Sequence, residues 1–403
     1  MQKVLPAVLF LFFACAACGT HTTQTAGGSD SSAVKTEPLS QHFYKRYSGT
    51  VAGKPVVVHF IRFGDALNGT YQYPGLSRII ALSTDSSAGN YYRLTEQSPE
   101  RGSGDPDSSA RWVVTLDAAG ITGQWQDIGR VHTEAISLKE EYPAGSTRLD
   151  AYLREDSLGL IAGRKEPFAR ASVSMLGAKA TDAAAAFINS QLRDEMQLSG
   201  GGDMDAEMSA MLKKYLDGYR KDNLPLFKEG TDSDSYWFFN FTQDDGLKVM
   251  YNDKGLLVLQ HYHSDYTGGA HGNYGSSFLN LDVANNKAWS LGDVVADTTA
   301  LAPMLNFAAR NYFSIPKATA LDEVMMVSDV PVTSNFYVAP EGITFVYNPY
   351  EIASYADGIV ELYLPYKKLI TLLTPAFRAR MHLGSSAGMA LHSRAGTARR
   401  RVI

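Results

Sequence analysis

The stretch Leu247-Lys248-Val249-Met250-Tyr251-Asn252-Asp253-Lys254-Gly255-Leu256-Leu257-Val258-Leu259-Gln260-His261-Tyr262 reads as two apolar β-patterned runs joined by a polar turn that ends in Gly. Asn, Asp and Gly supply the backbone conformations of a tight hairpin, so this is an antiparallel pair. Just upstream, Tyr236-Trp237-Phe238-Phe239-Asn240-Phe241 reads as a further strand from its aromatic content. Helical patterns lie before and after these strands. Thr181 or Asp182 can cap a helix whose inner face is Ala184, Phe187, Ile188 and Leu192, ending at Ser199-Gly200-Gly201-Gly202. A second helix, from Asp203, puts Met208, Met211, Leu212, Tyr215, Leu216 and Tyr219 on one side, a core face rather than a ligand groove. Further helices are expected at 300–313 (Leu301, Leu305, Ala308, Tyr312) and 366–373. Helices folded onto an antiparallel sheet make this half α+β.

Before Pro143 the pattern is different. Val56–Phe60, Gly69–Tyr73, Ile79–Leu82, Trp112–Leu116 and Ile136–Lys139 are short β runs separated by Gly, Asp, Ser and Pro. They predict an all-β, antiparallel meander or barrel-like domain over 42–145. A similarity between 67–71 and 121–125 is read as the recurring grammar of a hairpin. The expected order is then a signal peptide at 1–18, a flexible tether at 19–41, the all-β domain, a small α+β domain at 146–230, a larger α+β domain at 231–380, and a disordered basic tail at 381–403. The loop 98–109 is expected to be mobile.

The chain has 403 residues, 45% of them hydrophobic and 20% charged, enough apolar surface for buried cores. Lys and Arg number 37 against 42 Asp and Glu, a net charge of −5, which gives no electrostatic reason to bind nucleic acid. Lys3 followed by the apolar run Val4–Ala17 reads as a secretory signal, and its length of about 14 residues is short of the roughly 20 that span a bilayer. Both cysteines, Cys15 and Cys18, fall at its end, so no disulfide is expected in the mature domains. Ala16-Ala17-Cys18-Gly19 is similar to a bacterial lipobox, which would make Cys18 a lipidated first residue. Ala14-Cys15-Ala16 is the alternative, an ordinary cleavage site. A lipid anchor places the protein in the cell envelope, on the periplasmic side or at the outer-membrane surface.

At Tyr266-Thr267-Gly268-Gly269-Ala270-His271-Gly272-Asn273 the chain resembles the signature of the RsiV-like extracellular domain family. Members of that family sit outside the membrane in a lysozyme-sensing anti-sigma factor and beside the catalytic domain of a peptidoglycan deacetylase. Leu279-Asn280-Leu281-Asp282, Trp289–Val295, Asn335–Val338, Gly342–Gly358 and Leu364-Pro365-Tyr366 follow in the family's order. The segment 171–219 resembles, more weakly, the small domain that precedes it there. The resemblance implies an α+β extracytoplasmic module that binds a cell-wall component or a wall-degrading enzyme such as lysozyme. It marks Tyr266, Gly268, Gly269, His271, Asn273, Tyr347, Pro349, Tyr350 and Tyr355 as the binding motif. With no membrane-spanning helix for signalling and no deacetylase domain, neither of those roles carries over.

Chemistry on the substrate has thinner support. His261, His263 and Asp265 alternate onto one strand face and His271 follows a Gly-Gly turn, a set that can converge on zinc. A ring nitrogen of His271 bonded to a loop carbonyl explains that residue without metal. Gly384-Ser385-Ser386-Ala387-Gly388 matches G-x-S-x-G, but no acid follows Glu361, and the match is read as chance in a tail ending Arg399-Arg400-Arg401. The reading is a non-catalytic envelope lipoprotein without cofactor, its partner a lysozyme-like protein or peptidoglycan. The alternatives are a metal-dependent hydrolase of envelope glycans and a structural envelope protein.

Overall fold

The computed structural model describes residues 40–73, 79–97, 109–198, 202–228 and 233–384. Cys18 and the signal, the tether through residue 39, most of the loop 98–109, Ser199, Gly200 and Gly201 after the first helix, and the tail from 385 onward lie outside them. Among the described residues no helix is long and apolar enough to cross a membrane.

Eight strands open the fold: β1 (His42–Val51), β2 (Lys54–Phe63), β3 (Ala66–Gln72), β4 (Ile80–Ala88), β5 (Tyr91–Gln97), β6 (Arg111–Asp117), β7 (Gly120–Gln126) and β8 (Thr133–Glu140). Each pairs antiparallel with the next, and β8 returns to β1 from Tyr47↔Glu140 to Val51↔Ile136, closing a barrel. Alternation along each strand sends Tyr47, Val58, Phe60, Leu94, Trp112 and Leu138 inward, where all are fully buried. Glu96 finishes the packing: its Oε1 accepts from Tyr71 Oη at 2.7 Å, Trp112 Nε1 at 3.0 Å and Trp125 Nε1 at 2.8 Å.

A second sheet follows, from β9 (Leu149–Gly159), β10 (Phe168–Ala178), β11 (Phe241–Asp253), β12 (Leu256–Tyr266), β13 (Asn273–Asp282) and β14 (Lys287–Ala288). Its order is β14-β13-β12-β11-β10-β9, and the sheet runs across position 230. It is antiparallel except for β10 and β11, which are parallel. Parallel neighbours need a long crossover, and helices α1 (Ala183–Glu195) and α2 (Met204–Asn223) supply it. Asp182 caps α1 by accepting from Ala185 N, and Ala185, Ile188 and Leu192 are its buried residues, with Ala184 only half-buried. The Met and Tyr stripe of α2 is a core face: Met208, Leu212, Leu216 and Tyr219 are buried.

The helices cover the face that carries Leu247, Val249, Leu257, Leu259 and Leu281. The opposite face, with Met250, Leu256 and Val258, packs on a three-stranded sheet of β15 (Phe336–Ala339), β16 (Gly342–Tyr347) and β17 (Val360–Pro365). Short helices surround it: α3 (Leu291–Val294), α4 (Ala302–Tyr312), α5 (Tyr366–Leu369) and α6 (Pro375–Arg380). Met381 and Leu383 still pack on this core.

Two local readings are corrected. Ser233–Phe239 is a 3-10 helix, not a strand. Residues three apart eclipse in that helix, and Tyr236 (tilted) and Phe239 (edge-on) both pack against Phe227 with ring centres 5.5 Å away, while Trp237 and Phe238 face outward at 45% and 50% exposure. The helix expected at 366–373 stops at Leu369; Leu373 bridges to Val295 instead, and Thr374 caps a new helix with Pro375 in its first turn.

The barrel docks on the edge of β11 that β10 leaves uncovered. Thr70 donates to Val249 O at 2.6 Å, and the buried Arg46 donates Nε–H to Asn252 O at 3.1 Å. Asn252 is 1% exposed and donates to Tyr44 Oη at 2.9 Å and Thr147 O at 2.8 Å.

Candidate functional site

The β11–β12 hairpin turns through Lys254 (φ 53°) and Gly255 (φ 72°), the two left-handed positions of a tight two-residue loop. Its register shifts by one residue between Val249 and Tyr251. That shift sets Asp245 opposite His263 and Leu247 opposite His261. Asp245 thereby comes onto the face of His261, His263 and Asp265, and the end of α1 lies over it.

The result is a chain of carboxylates and imidazoles. Asp265 Oδ1 is 3.2 Å from His263 Nε2, and His263 Nδ1 is 2.8 Å from Asp245 Oδ1. The same Asp245 oxygen is 3.3 Å from His261 Nε2, and His261 Nδ1 is 3.0 Å from Glu195 Oε1, which also accepts from Ser277 Oγ. Burial disfavours a charge on His261, but the hydrogen bonds to Asp245 and Glu195 outweigh it and raise its pKa to about 9. His261 is therefore an imidazolium at neutral pH. Burial would raise Asp245, yet donors from His261, Gln243 and His263 hold it below the usual carboxylate range. Glu195 is lowered chiefly by His261.

At the other end of the hairpin the family-motif residues gather. Gly268 (φ 85°) sits so close to Phe238 that a Cβ would come within 2.7 Å of its carbonyl oxygen, and only glycine fits there. Tyr266 Oη donates to Gly269 O at 3.0 Å, and Asn273 reaches Asp265 at 3.4 Å, which fasten the loop to β12. The second loop, residues 348–358, is brought in by Asn348, whose Oδ1 accepts from Ser276 N at 2.8 Å. Gly275 leaves room for that side chain. His271 then stacks on Tyr355 with ring centres 4.0 Å apart, and Tyr350 lies 5.9 Å from Tyr355. His271 donates Nδ1–H to Gly272 O at 2.8 Å, which makes Nε2 the acceptor for Tyr350 Oη at 3.4 Å. Tyr350 is 52% exposed and held at φ 71°, a region a bulky residue occupies at a cost.

The motif residues thus separate into groups. His271, Tyr350 and Tyr355 form one face; Tyr266, Gly268, Gly269 and Asn273 shape its loop; Pro349 lies half-buried beside it. Tyr347 does not join them. It is 1% exposed, donates to Pro331 O at 2.7 Å, and belongs to the core, because β16 is buried on both faces. The four zinc candidates also divide: His261, His263 and Asp265 lie in the acid–imidazole chain, while His271 makes its contacts in the aromatic loops. Every ring nitrogen of His261 and His263 faces a carboxylate. Among the described residues no three His, Cys, Asp or Glu side chains converge as a metal cage. Ser386 lies outside the described residues.

Sequence reading missed Tyr274, edge-on to Tyr355 at 5.4 Å, and the carboxylates Asp245 and Glu195. Tyr274 adjoins the motif and was within reach of it. Asp245 depends on the bulge and Glu195 on helix docking, and neither leaves a local signal.

Residues 296–367 match the sequence model of DUF3298, described as a protein of unknown function; the match takes in the loop of Tyr350 and Tyr355. A crystal structure of a DUF3298 family member from Bacteroides fragilis is similar over 59% of this chain and 98% of its own, at 26% identity and a TM-score of 0.54. A DUF3298 family protein from Pseudomonas aeruginosa covers 58% of this chain and 97% of its own, at 18% identity and a TM-score of 0.42. No curated protein matches the chain. The carboxy-terminal half thus carries, at 296–367, the sequence pattern of DUF3298, a family of unknown function.

Proposed function

We propose that the chain is an exported lipoprotein, anchored through Cys18 in the bacterial cell envelope, that binds a wall component or a wall-degrading enzyme of the lysozyme kind without acting on it chemically. The observation that carries the reading is the face of His271, Tyr350 and Tyr355, built where two motif loops meet. Aromatic faces with polar edges bind sugar rings and anchor protein partners. A strained backbone under an exposed tyrosine is a cost that packing does not require, and it favours a functional role for that ring. The RsiV-like resemblance supplies the class of partner. Binding without chemistry is favoured because the imidazoles of His261 and His263 are held between carboxylates.

The test is titration of the purified protein with a c-type lysozyme and, separately, with peptidoglycan. Saturable binding that Tyr350→Ala abolishes in a folded protein supports the reading; no binding to either partner removes it. For the anchor, Cys18→Ser should move the protein from the membrane fraction to the soluble fraction, and an unchanged distribution would contradict lipidation.

A further inference from the structure

The parallel pairing of β10 with β11 ends at Ser174↔Gly246, and barrel strands β2 and β3 close the opening beyond it. The fork between them holds a partly open cavity of about 180 Å³. Its walls include Ile61 and Phe63 from the barrel and Tyr262, and its polar groups include Ser172, Ser174, His59 and Lys248 together with the carboxylates Asp244 and Asp245.

We propose that this cavity binds a small organic monocarboxylate, its apolar body against Ile61 and Phe63 and its carboxylate paired with the Lys248 amine. Three observations lead there. Lys248 Nζ stands 5.6 Å from the centre of the Tyr262 ring and has no carboxylate at ion-pair distance among the described residues. Of the two acids in the lining, Asp245 is paired with His261 and His263 and Asp244 is exposed to solvent, and neither is at ion-pair distance from Lys248. One unanswered positive charge calls for one negative charge, which fits a carboxylate better than a phosphate dianion.

His59 adds a donor. Asn252 donates to Tyr44 Oη at 2.9 Å, so the buried Tyr44 hydroxyl satisfies its own hydrogen by donating to His59 Nδ1 at 3.0 Å. Burial first, and Arg46 second, lower His59 to about 3, so the ring is neutral and carries its proton on Nε2. That N–H has no partner among the described residues. The Ser172 and Ser174 hydroxyls are likewise without protein partners among them. Burial also holds the Lys248 amine below the usual lysine range, as expected for a charge awaiting its counterion.

Size sets the probe. A cavity of about 150 Å³ holds a benzene ring, so benzoate fits this one and benzyl alcohol is its neutral counterpart. Titrating the full chain calorimetrically with each should give saturable benzoate binding, with benzyl alcohol at least about tenfold weaker. Lys248→Met keeps the apolar stem and should erase that preference. Independently of any variant, saturating benzoate should protect Lys248 from reductive methylation, read by mass spectrometry against the exposed Lys213. Absent or unsaturable benzoate binding, equal binding of the two probes, undiminished binding by Lys248→Met, or unprotected Lys248 would each overturn the proposal.

Discussion

His261 lies with Nδ1 3.0 Å from Oε1 of Glu195, which ties strand β12 to the last residue of helix α1 by a charged hydrogen bond. A carboxylate at a helix C-terminus meets the negative end of the helix dipole and is unfavourable alone. The imidazolium reverses the sign of that interaction, and its other nitrogen engages Asp245 beneath.

Stability should therefore fall on the alkaline side. The ordinary pKa of 6.5 is raised to about 9 in the fold, so the contribution of His261 is complete below 6.5 and lost as pH rises through 9. His261→Gln should flatten this limb, with a loss on the order of 2–3 kcal/mol at neutral pH. Urea unfolding at about pH 6 and about pH 10 reads it, and parallel profiles for the two proteins would contradict the pairing.

His59 predicts the opposite limb. Its pKa falls from 6.5 to about 3, so the unfolded chain takes up a proton that the fold refuses, and stability declines as pH drops from 6.5 toward 3. His59→Phe should lose the part of this slope that lies above the range where carboxylates titrate. The urea midpoint between pH 6.5 and about 5 is the measurement, and an unchanged slope counts against a buried neutral ring.

Tyr350→Gly should stabilise the fold by about 1 kcal/mol, because glycine accepts a φ of 71° without strain, while binding at the proposed face is lost. Tyr347→Ala should do the reverse and destabilise by about 3–5 kcal/mol, since that ring fills the core. Thermal unfolding together with a binding titration separates the two. A destabilised Tyr350→Gly would mean that the ring is structural.

Glu96→Leu should leave Tyr71, Trp112 and Trp125 without their shared acceptor in the barrel. The expected cost is about 2–4 kcal/mol, accompanied by a change in tryptophan fluorescence. Unchanged stability would show that these donors find other acceptors.

The sequence by itself determined what repeats locally. Alternating residues marked β2, β3 and β6; Asp182 and the period of Ile188 and Leu192 marked α1; Gly255 marked the hairpin turn; and the order of motifs marked the loops of His271 and Tyr350. Each of these rests on neighbours a few residues away along the chain. Tertiary structure alone decided the rest. The return of β8 to β1, the parallel step between β10 and β11, and the cavity where they part join residues about 70 to 200 positions apart. The one-residue bulge near Met250 decides that Asp245, rather than Gly246, stands opposite His263, and a slip of one residue in a strand exchanges its two faces. The aromatics were ambiguous for the same reason: nothing local separates Tyr347, sealed between layers, from Tyr350, three residues on and turned outward by a left-handed backbone.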